Sequence, residues 1–439
     1  MNICTTTTDP MSVHWAATNL QQALQIYVCP LSKFDIVNIT NISAESSCLG
    51  VGASTAKLFQ FHTSSFNISS VEEGYVMGPA PNDPTSYILT GDLRNSDNHQ
   101  RGTLYATIDF LEDLGLRWLD SKTTVTTKDC PFEKDAVKAL ASLPPLKSYS
   151  PPLEYRQVLA WDIDQNSLFS SLSKNNGKAR GVKQLYGGGT IYASPPGFVH
   201  TSYSLLDPKA GQVPPPKLYA DHPEWFWGGP ASYGQLCWSN QSLINYVINQ
   251  SINYLQNQPD ATVLSVSQND NYNYCNTTAE QKMYAEEDGS RIGPILRAVN
   301  QVADAVAIAF PHRDVAIDTL AYQWTRAAPT KTYPRANVII RLCSIECNFG
   351  APLSDSTNSK FQTDIINWGH FSNRTWIWNY VTDYSNYVQP WPDYNNIQPN
   401  TKFYIEHGYV LCMMTVIVLV SVLLYKDLTV VHFQCAYIL

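Results

Sequence analysis

Apolar and polar positions along the chain follow strand and helix spacings, and together they predict an α/β protein. Residues 86–92 alternate as a strand does, and residues 101–115 repeat leucine and isoleucine at helical spacing. Gly115 suits the position after that helix, because glycine readily adopts the left-handed conformation found there. These elements predict a small N-terminal α/β domain over residues 1–142.

A proline-rich run, residues 143–154, follows this domain. Proline has no backbone N–H and keeps the residue before it out of helical conformation, so the run predicts an extended linker. We therefore expect a domain boundary here.

Strand-like and helix-like runs alternate through residues 155–408 and predict a second domain. The predicted strands are 155–161, a weaker candidate near 176–182, 198–206, 262–267, 315–322, 337–345 and 375–381. Amphipathic helices are predicted at 240–257 and 294–310. Repeated βα units form a parallel sheet, and this many in succession are typical of a (β/α)8 barrel. Functional residues are then expected at the carboxyl ends of the strands.

Residues 409–425 form an uncharged apolar run that precedes a short tail, residues 426–439. The run is near the lower limit of ~17–25 residues for a membrane-spanning helix, and a buried core strand or helix is the alternative. If it spans a membrane, Lys426 favours the cytoplasmic side and the larger part of the chain faces outward. The run therefore predicts a membrane anchor.

Charge and cysteine spacing exclude several classes of protein. The chain has 29 Lys and Arg against 37 Asp and Glu, a net charge of −8, and no basic run. No nucleic-acid partner is therefore expected. The 10 cysteines are dispersed without a C-x-x-C pair, so neither a metal site nor another cofactor is expected. The oligomeric state is left open.

Sequons for N-glycosylation indicate a secreted or lumenal chain. They lie at Asn38, Asn41, Asn67, Asn240, Asn249, Asn276 and Asn373. The N-terminal segment lacks the basic and apolar regions of a signal peptide. We expect an extracellular or lumenal protein whose natural start lies upstream, with a cytosolic protein as the alternative.

Three carboxylates that follow predicted strands are the candidate catalytic residues: Asp270, Glu346 and Asp383. The carboxyl ends of strands in a barrel meet at one face, and glycoside hydrolysis needs two carboxyl groups beside the bond that breaks. Each carboxylate alone is equally compatible with capping a loop or a helix. Together they predict a hydrolase site.

Other side chains near the same strand ends are candidate sugar-binding residues. Aromatic faces can stack on sugar rings, and amides can bind hydroxyls, although many aromatic residues will fill the core instead. The candidates are Trp161, His200, Gln268, Asn269, Tyr322, Trp324, Trp378 and Trp391.

Two cysteines, Cys343 and Cys347, flank the candidate Glu346. In an oxidising compartment they are expected to bond other cysteines, for example Cys237 or Cys275. Buried thiols are the alternative.

Several longer segments resemble the DUF4838 family, over roughly residues 85–408. They are RGTLYATIDFLEDLGLRWL (101–119), HPEWF (222–226), GQLCWSN (234–240), LSVSQND (264–270), DTLAYQWTRAAP (318–329), IIRLCSIECNF (339–349) and IWNYVTDYSNYVQPWP (377–392). Members of that family resemble glycoside hydrolases in which a domain like those of α-glucuronidases and β-hexosaminidases precedes a (β/α)8 barrel. The resemblance implies that fold and that class of reaction.

The resemblance also implies roles for the three carboxylates. In α-glucuronidases the acid follows the fourth strand, and carboxylates after the sixth and seventh strands activate water. Asp270, Glu346 and Asp383 hold those positions here when the weak strand near 176–182 is counted as the second. Family members continue after the segment at 403–408 with an eighth strand, whereas here the apolar run begins, so we expect a barrel that is incomplete or altered at that strand.

The sequence therefore predicts a glycoside-hydrolase-like protein that acts on an extracellular or lumenal glycan by carboxylate general acid/base catalysis. The alternative is a non-catalytic carbohydrate-binding protein of the cell surface.

Overall fold

The two largest hydrophobic clusters of the described residues each lie against a six-stranded sheet. The structure is a computed structural model that describes residues 1–41, 47–61, 73–91, 101–133, 135–143, 145–177, 184–386, 389, 391–409 and 411–415. The architecture is a mixed α/β fold with parallel sheets and covering helices.

The strands, in chain order, are β1 (Asn2–Thr5), β2 (Asp35–Asn38), β3 (Cys48–Val51), β4 (Tyr75–Ala80), β5 (Asp83–Gly91), β6 (Leu116–Trp118), β7 (Thr124–Thr126), β8 (Lys147–Tyr149), β9 (Tyr155–Val158), β10 (Phe226–Trp227), β11 (Gln235–Leu236), β12 (Val263–Ser265), β13 (Ala316–Ala321), β14 (Val338–Cys343), β15 (Thr375–Tyr380) and β16 (Leu411–Thr415).

The helices are α1 (Met11–Ala23), α2 (Ala53–Leu58), α3 (Arg101–Asp113), α4 (Ala136–Ala141), α5 (Trp161–Gln165), α6 (Ser167–Leu172), α7 (Ser202–Leu206), α8 (Pro216–Asp221), α9 (Gln241–Gln256), α10 (Thr278–Glu286), α11 (Gly293–Ala309), α12 (Ser359–Phe371) and α13 (Ile397–Glu406).

The first sheet has the order β2-β1-β3-β5-β4-β8 and packs against α1 and α3. The strand and helix predicted in this half correspond to β5 and α3, and Gly115 follows α3 with a φ of +93°. Part of the predicted linker is a strand of the first sheet: β8 lies within residues 143–154 and pairs with β4 as the sixth strand. The prolines of that segment flank β8, so its backbone N–H groups remain available to the sheet.

The second sheet is parallel and has the order β12-β13-β14-β15-β16-β9. Alternate residues of β14 point to opposite faces: Ile340 and Leu342 pack with α9, α11 and α12, while Ile339 and Cys343 pack on the other face. Both predicted amphipathic helices are present as α9 and α11, within a residue at each end.

One predicted strand is wrong and another is only partly described. Residues 198–206 form a loop and the short helix α7, in which Tyr203, Leu205 and Leu206 are buried. Their spacing fits one helical face as well as a strand, which explains the error. Of the candidate near 176–182, residues 178–182 lie outside the described residues.

A (β/α)8 barrel that is incomplete or altered at its eighth strand was predicted, and among the described residues the second sheet is an open sheet of six strands. β16 belongs to the apolar run where the altered strand was expected, and it lies between β15 and β9. The predicted membrane span is therefore wrong at residues 411–415, which form a strand of the sheet instead. A strand inside a parallel sheet is buried on both faces, so its sequence is also a continuous apolar run. The described ranges hold no helix long and apolar enough to cross a membrane. Residues 416–439 lie outside them.

The carboxylate of Glu73 is fully buried where the two halves meet. It pairs with Arg101 Nε of α3 at 2.6 Å and with Arg156 Nη1 of β9 at 2.8 Å. The side-chain N–H of Asn176 donates to it at 2.9 Å. Burial alone raises the pKa of Glu73, but the two guanidinium groups outweigh burial and lower the pKa to about 2.

We predict that Glu73→Gln destabilises the protein by about 3–5 kcal/mol, because two buried arginines lose their counter-charge. Urea unfolding near pH 7 measures the change. In the parent protein this contribution is present above the ordinary carboxyl pKa of 4.5 and is lost as pH falls toward about 2. The control is Asp304→Asn, which removes an exposed ion pair with Arg335 and should change little. Equal effects of the two variants would contradict the prediction.

Candidate active site

The carboxyl ends of four neighbouring strands bring the predicted catalytic residues to one edge of the second sheet. Asp270 follows β12, Tyr322 follows β13, Glu346 follows β14 and Asp383 follows β15. Strands in a parallel sheet end on the same side, so these loops share an edge.

Asp270 is exposed and is held by a tyrosine from the neighbouring strand end. The hydroxyl of Tyr322 donates a hydrogen bond to Asp270 Oδ1 at 3.1 Å, and it accepts one from Gln323 Nε2 at 2.9 Å. Burial and the charge of Asp270 raise the pKa of Tyr322 above its ordinary value. The phenol therefore keeps its proton and acts as a donor that orients the carboxyl group.

Cys343, the last residue of β14, is a buried thiol. Burial is the main cause that raises the pKa of Cys343 to about 12, and the charges of Glu346 and Asp270 add to it. The protonated thiol is unsuited as a nucleophile.

Glu346 is partly exposed and forms an ion pair with Arg326. The same guanidinium pairs through Nε with Asp364 of α12 at 2.6 Å. Burial raises the pKa of Asp364 although Arg326 opposes the rise. Arg326 therefore brings a fixed positive charge to the site and holds the side chains of Glu346 and Asp364.

Asp383 begins a turn after β15. Its Oδ1 accepts the backbone N–H of Ser385 at 2.8 Å. This is the loop-capping arrangement that the sequence left open as an alternative, and the catalytic role of Asp383 stays a prediction.

The candidate polar sugar ligands make hydrogen bonds within the protein. Gln268 donates to the carbonyl of Tyr322 at 3.2 Å, and Asn269 donates to that of Gly234 at 2.8 Å. His200 Nδ1 lies 2.9 Å from the carbonyl oxygen of Gln268. These contacts stabilise the loop before Asp270, and contact of the three side chains with sugar stays a prediction.

The candidate aromatic residues occupy different environments. Trp161, at the start of α5, is 60% exposed and is available for stacking at the sheet edge. The indole N–H of Trp324 donates to the carbonyl of Asn271 at 2.9 Å. The other two are half-buried: the ring of Trp378 lies 5.6 Å from that of Phe198, and Trp391 packs against Phe349.

The sequence analysis missed three exposed tyrosines in loops at this edge. Tyr272 is 63% exposed beside Tyr322, and Tyr384 and Tyr394 follow β15. An aromatic residue shortly after a predicted strand is the signal that could have identified these tyrosines. Most of the aromatic candidates chosen on that signal were tryptophans.

The described cysteines form three disulfides: Cys4–Cys48, Cys29–Cys130 and Cys237–Cys275. The predicted bonds of Cys343 and Cys347 are wrong, because these two are free thiols and their suggested partners bond each other. The alternative reading of both as thiols is confirmed.

The sequons occupy different surfaces. Asn38, Asn41, Asn249, Asn276 and Asn373 are exposed, as the attachment of a glycan requires. Asn240 is half-buried, and its Oδ1 caps the N-terminus of α9. Asn67 lies outside the described residues.

Asp393, which the sequence analysis did not select, is a buried acid in the segment between β15 and α13. It is 3% exposed, and neither carboxyl oxygen has a hydrogen-bond partner within the described residues. Burial raises the pKa of Asp393 to about 6. Near neutrality this group is therefore close to its titration point.

We predict that stability falls as pH rises from about 4 to about 6, because folded Asp393 keeps a proton that the unfolded chain releases. The loss amounts to about 2–3 kcal/mol. Asp393→Asn should flatten this part of the profile, as measured by urea unfolding at several pH values. Exposed Asp314→Asn is the control. A profile that the first variant leaves unchanged would contradict the prediction.

Residues 141–420 match the family described as "Domain of unknown function (DUF4838)". No curated protein matches the chain in sequence. A solved structure of a family GH115 4-O-methyl-α-glucuronidase with specificity for decorated arabinogalactans is similar at 11% identity and a TM-score of 0.50, over 94% of this chain and 54% of that chain.

Two other solved structures give lower scores. They are a GH20 chitobiase from Flavobacterium johnsoniae (9% identity, TM-score 0.46, 94% of this chain and 61% of that chain) and a GH138 enzyme targeting pectin rhamnogalacturonan II (10%, 0.35, 94% and 46%). The chain spans about half the length of the structures it matches. The likeness to the first of the three shows a fold similar to that of a glycoside hydrolase.

Proposed function

Because this chain belongs to the DUF4838 family, we propose that it is a glycoside hydrolase that cleaves an extracellular or lumenal glycan with a pair of carboxyl groups. One observation carries the proposal: Asp270 and Glu346 follow β12 and β14 of one parallel sheet, whose strands end at the same edge. The glycoside-hydrolase-like fold supports the class of reaction.

Asp270 is the proposed proton donor to the leaving oxygen. Its carboxyl is exposed to a ligand and is oriented by the hydroxyl of Tyr322. Glu346 is the proposed second carboxylate, which would activate water or attack the sugar, and its ion pair with Arg326 holds its side chain. Asp383 is the alternative for that second role.

The proposed scaffold is a (β/α)8 barrel in which β16 replaces the usual eighth strand. Backbone N–H groups of Asn176 and Gly177 donate to the carbonyl of Arg156 on β9, and Thr190 donates to that of Asn176. Thr262, just before β12, donates to the carbonyl of Ile191. These bonds support a ring of strands from β9 round to β12.

The proposed substrate is a glycan outside the cytosol. Three disulfides support an oxidising compartment, and five exposed sequons are compatible with export. Exposed Trp161 and Tyr272 are the proposed stacking surfaces for sugar rings.

We predict that Asp270→Asn lowers turnover of natural glycans by ~10²–10⁴, the usual contribution of a general acid. Aryl glycosides should lose less, because their leaving groups need little protonation. The measurement is kcat for arabinogalactan oligosaccharides and a panel of p-nitrophenyl glycosides that includes uronides. The parent protein is assayed against the whole panel first, so that its preferred sugar is known before the variant is compared.

Asp260→Asn is the matched control, since Asp260 is exposed and precedes β12 at its amino end, whereas Asp270 follows the carboxyl end. It should retain full turnover. Unchanged turnover of both substrates by Asp270→Asn would overturn the catalytic assignment. If the parent protein binds sugar but hydrolyses none of the probes, the carbohydrate-binding alternative is favoured instead.

A further inference from the structure

The side chain of Gln235 forms a paired contact with the loop that carries Asp270. Its Oε1 accepts the backbone N–H of Asn269 at 3.0 Å, and its Nε2 donates to the Asn269 carbonyl at 2.8 Å. Nε2 also lies within hydrogen-bond distance of the Asn271 carbonyl, at 3.3 Å. Gln235 is 1% exposed, so these bonds are shielded from water. Its carboxamide thus binds both backbone groups of the residue before Asp270.

The hairpin of β10 and β11 places Gln235 at this position. Gln235 pairs with Trp227 across the hairpin, and Gly234 passes so close to the Trp227 carbonyl that a Cβ would collide with it. The N–H of Gly234 donates to the hydroxyl of buried Tyr203 at 3.1 Å. Because both strands of the hairpin are fixed, the backbone position from which the Gln235 side chain extends is fixed as well.

Neighbouring contacts hold the same loop in register. The N–H of Asp270 donates to the hydroxyl of Tyr233 at 3.0 Å. Beyond the hairpin, Cys237 is bonded to Cys275, which closes the far side of the loop. Residues 269 to 271 are therefore bound by consecutive residues of one hairpin.

We propose that Gln235 is a positioning residue that sets the orientation of Asp270 for proton transfer. This inference rests on the proposed function. Asp270 is exposed, and among the described residues its side chain accepts one hydrogen bond, from the hydroxyl of Tyr322. A loop free to shift would misplace the carboxyl group, and a displacement of 1 Å can lower a rate ~10²-fold.

The experiment compares Gln235→Met, which keeps the volume and removes the hydrogen bonds, with Gln235→Glu. We expect Gln235→Met to lower kcat by roughly 10–100-fold while KM stays within about threefold. The protonated carboxyl of Gln235→Glu offers both a donor and an acceptor. Its activity relative to the parent should therefore recover as pH is lowered, which a merely structural role would not produce.

Hydrogen exchange gives a readout that is independent of activity. The amide N–H groups of Asn269 and Asp270 should exchange at least tenfold faster in Gln235→Met, because the loop loses the hydrogen bonds that Gln235 makes to it. Asn300→Leu is the matched control: this buried amide bridges the backbone of Tyr333 and Arg335 before β14, away from the site. It should leave both kcat and the exchange of the 268–275 loop unchanged.

The outcomes separate this inference from the proposed function. If Asp270→Asn abolishes turnover but Gln235→Met changes neither kcat nor amide exchange, the positioning role is wrong and the proposed function stands. If Asp270→Asn leaves turnover unchanged, the proposed function and the positioning role both fail. Equal losses of kcat in Gln235→Met and Asn300→Leu would instead indicate that Gln235 contributes only to the general stability of the protein.

Discussion

The arrangement of the two sheets depends on the buried carboxylate of Glu73, which lies between a guanidinium from each half of the chain. Arg101 begins α3 beside the first sheet, and Arg156 belongs to β9 of the second. Three buried charges without this pairing would each pay a large desolvation cost. The contact therefore specifies one relative placement of β9, and β9 borders the strand β16 that completes the described sheet.

The candidate active site follows from the direction of the strands. Parallel pairing from β12 to β15 brings loops that are distant in sequence to one edge, and each loop supplies a different group. Tyr322 orients Asp270, while Arg326 balances the charge of Glu346. Several of the other polar side chains at this edge form hydrogen bonds that hold the loops, so a small number of exposed groups is left to contact a ligand.

Particular residues show how far sequence reasoning reaches into such a site. Asp270 and Glu346 were found because strand ends can be read from apolar periodicity. Gln268 and Asn269 were selected by the same rule, yet their amides bond the protein, and side-chain direction within a loop has no periodic signal. Asp393 was missed because its significance lies in burial, which comes from segments far apart in the chain.

The sequence alone determined the α/β class, the family resemblance, strands β5, β9 and β12 to β15, helices α3, α9 and α11, and the carboxylates at strand ends, because these follow from local spacing and long motifs. Tertiary structure decided what local spacing leaves ambiguous. The run at 411–415 becomes a strand between β15 and β9, residues 202–206 become helical, and Gln235 meets the loop of Asp270. An apolar run has the same pattern in a membrane, a core helix or a sheet, and only its neighbours select among them.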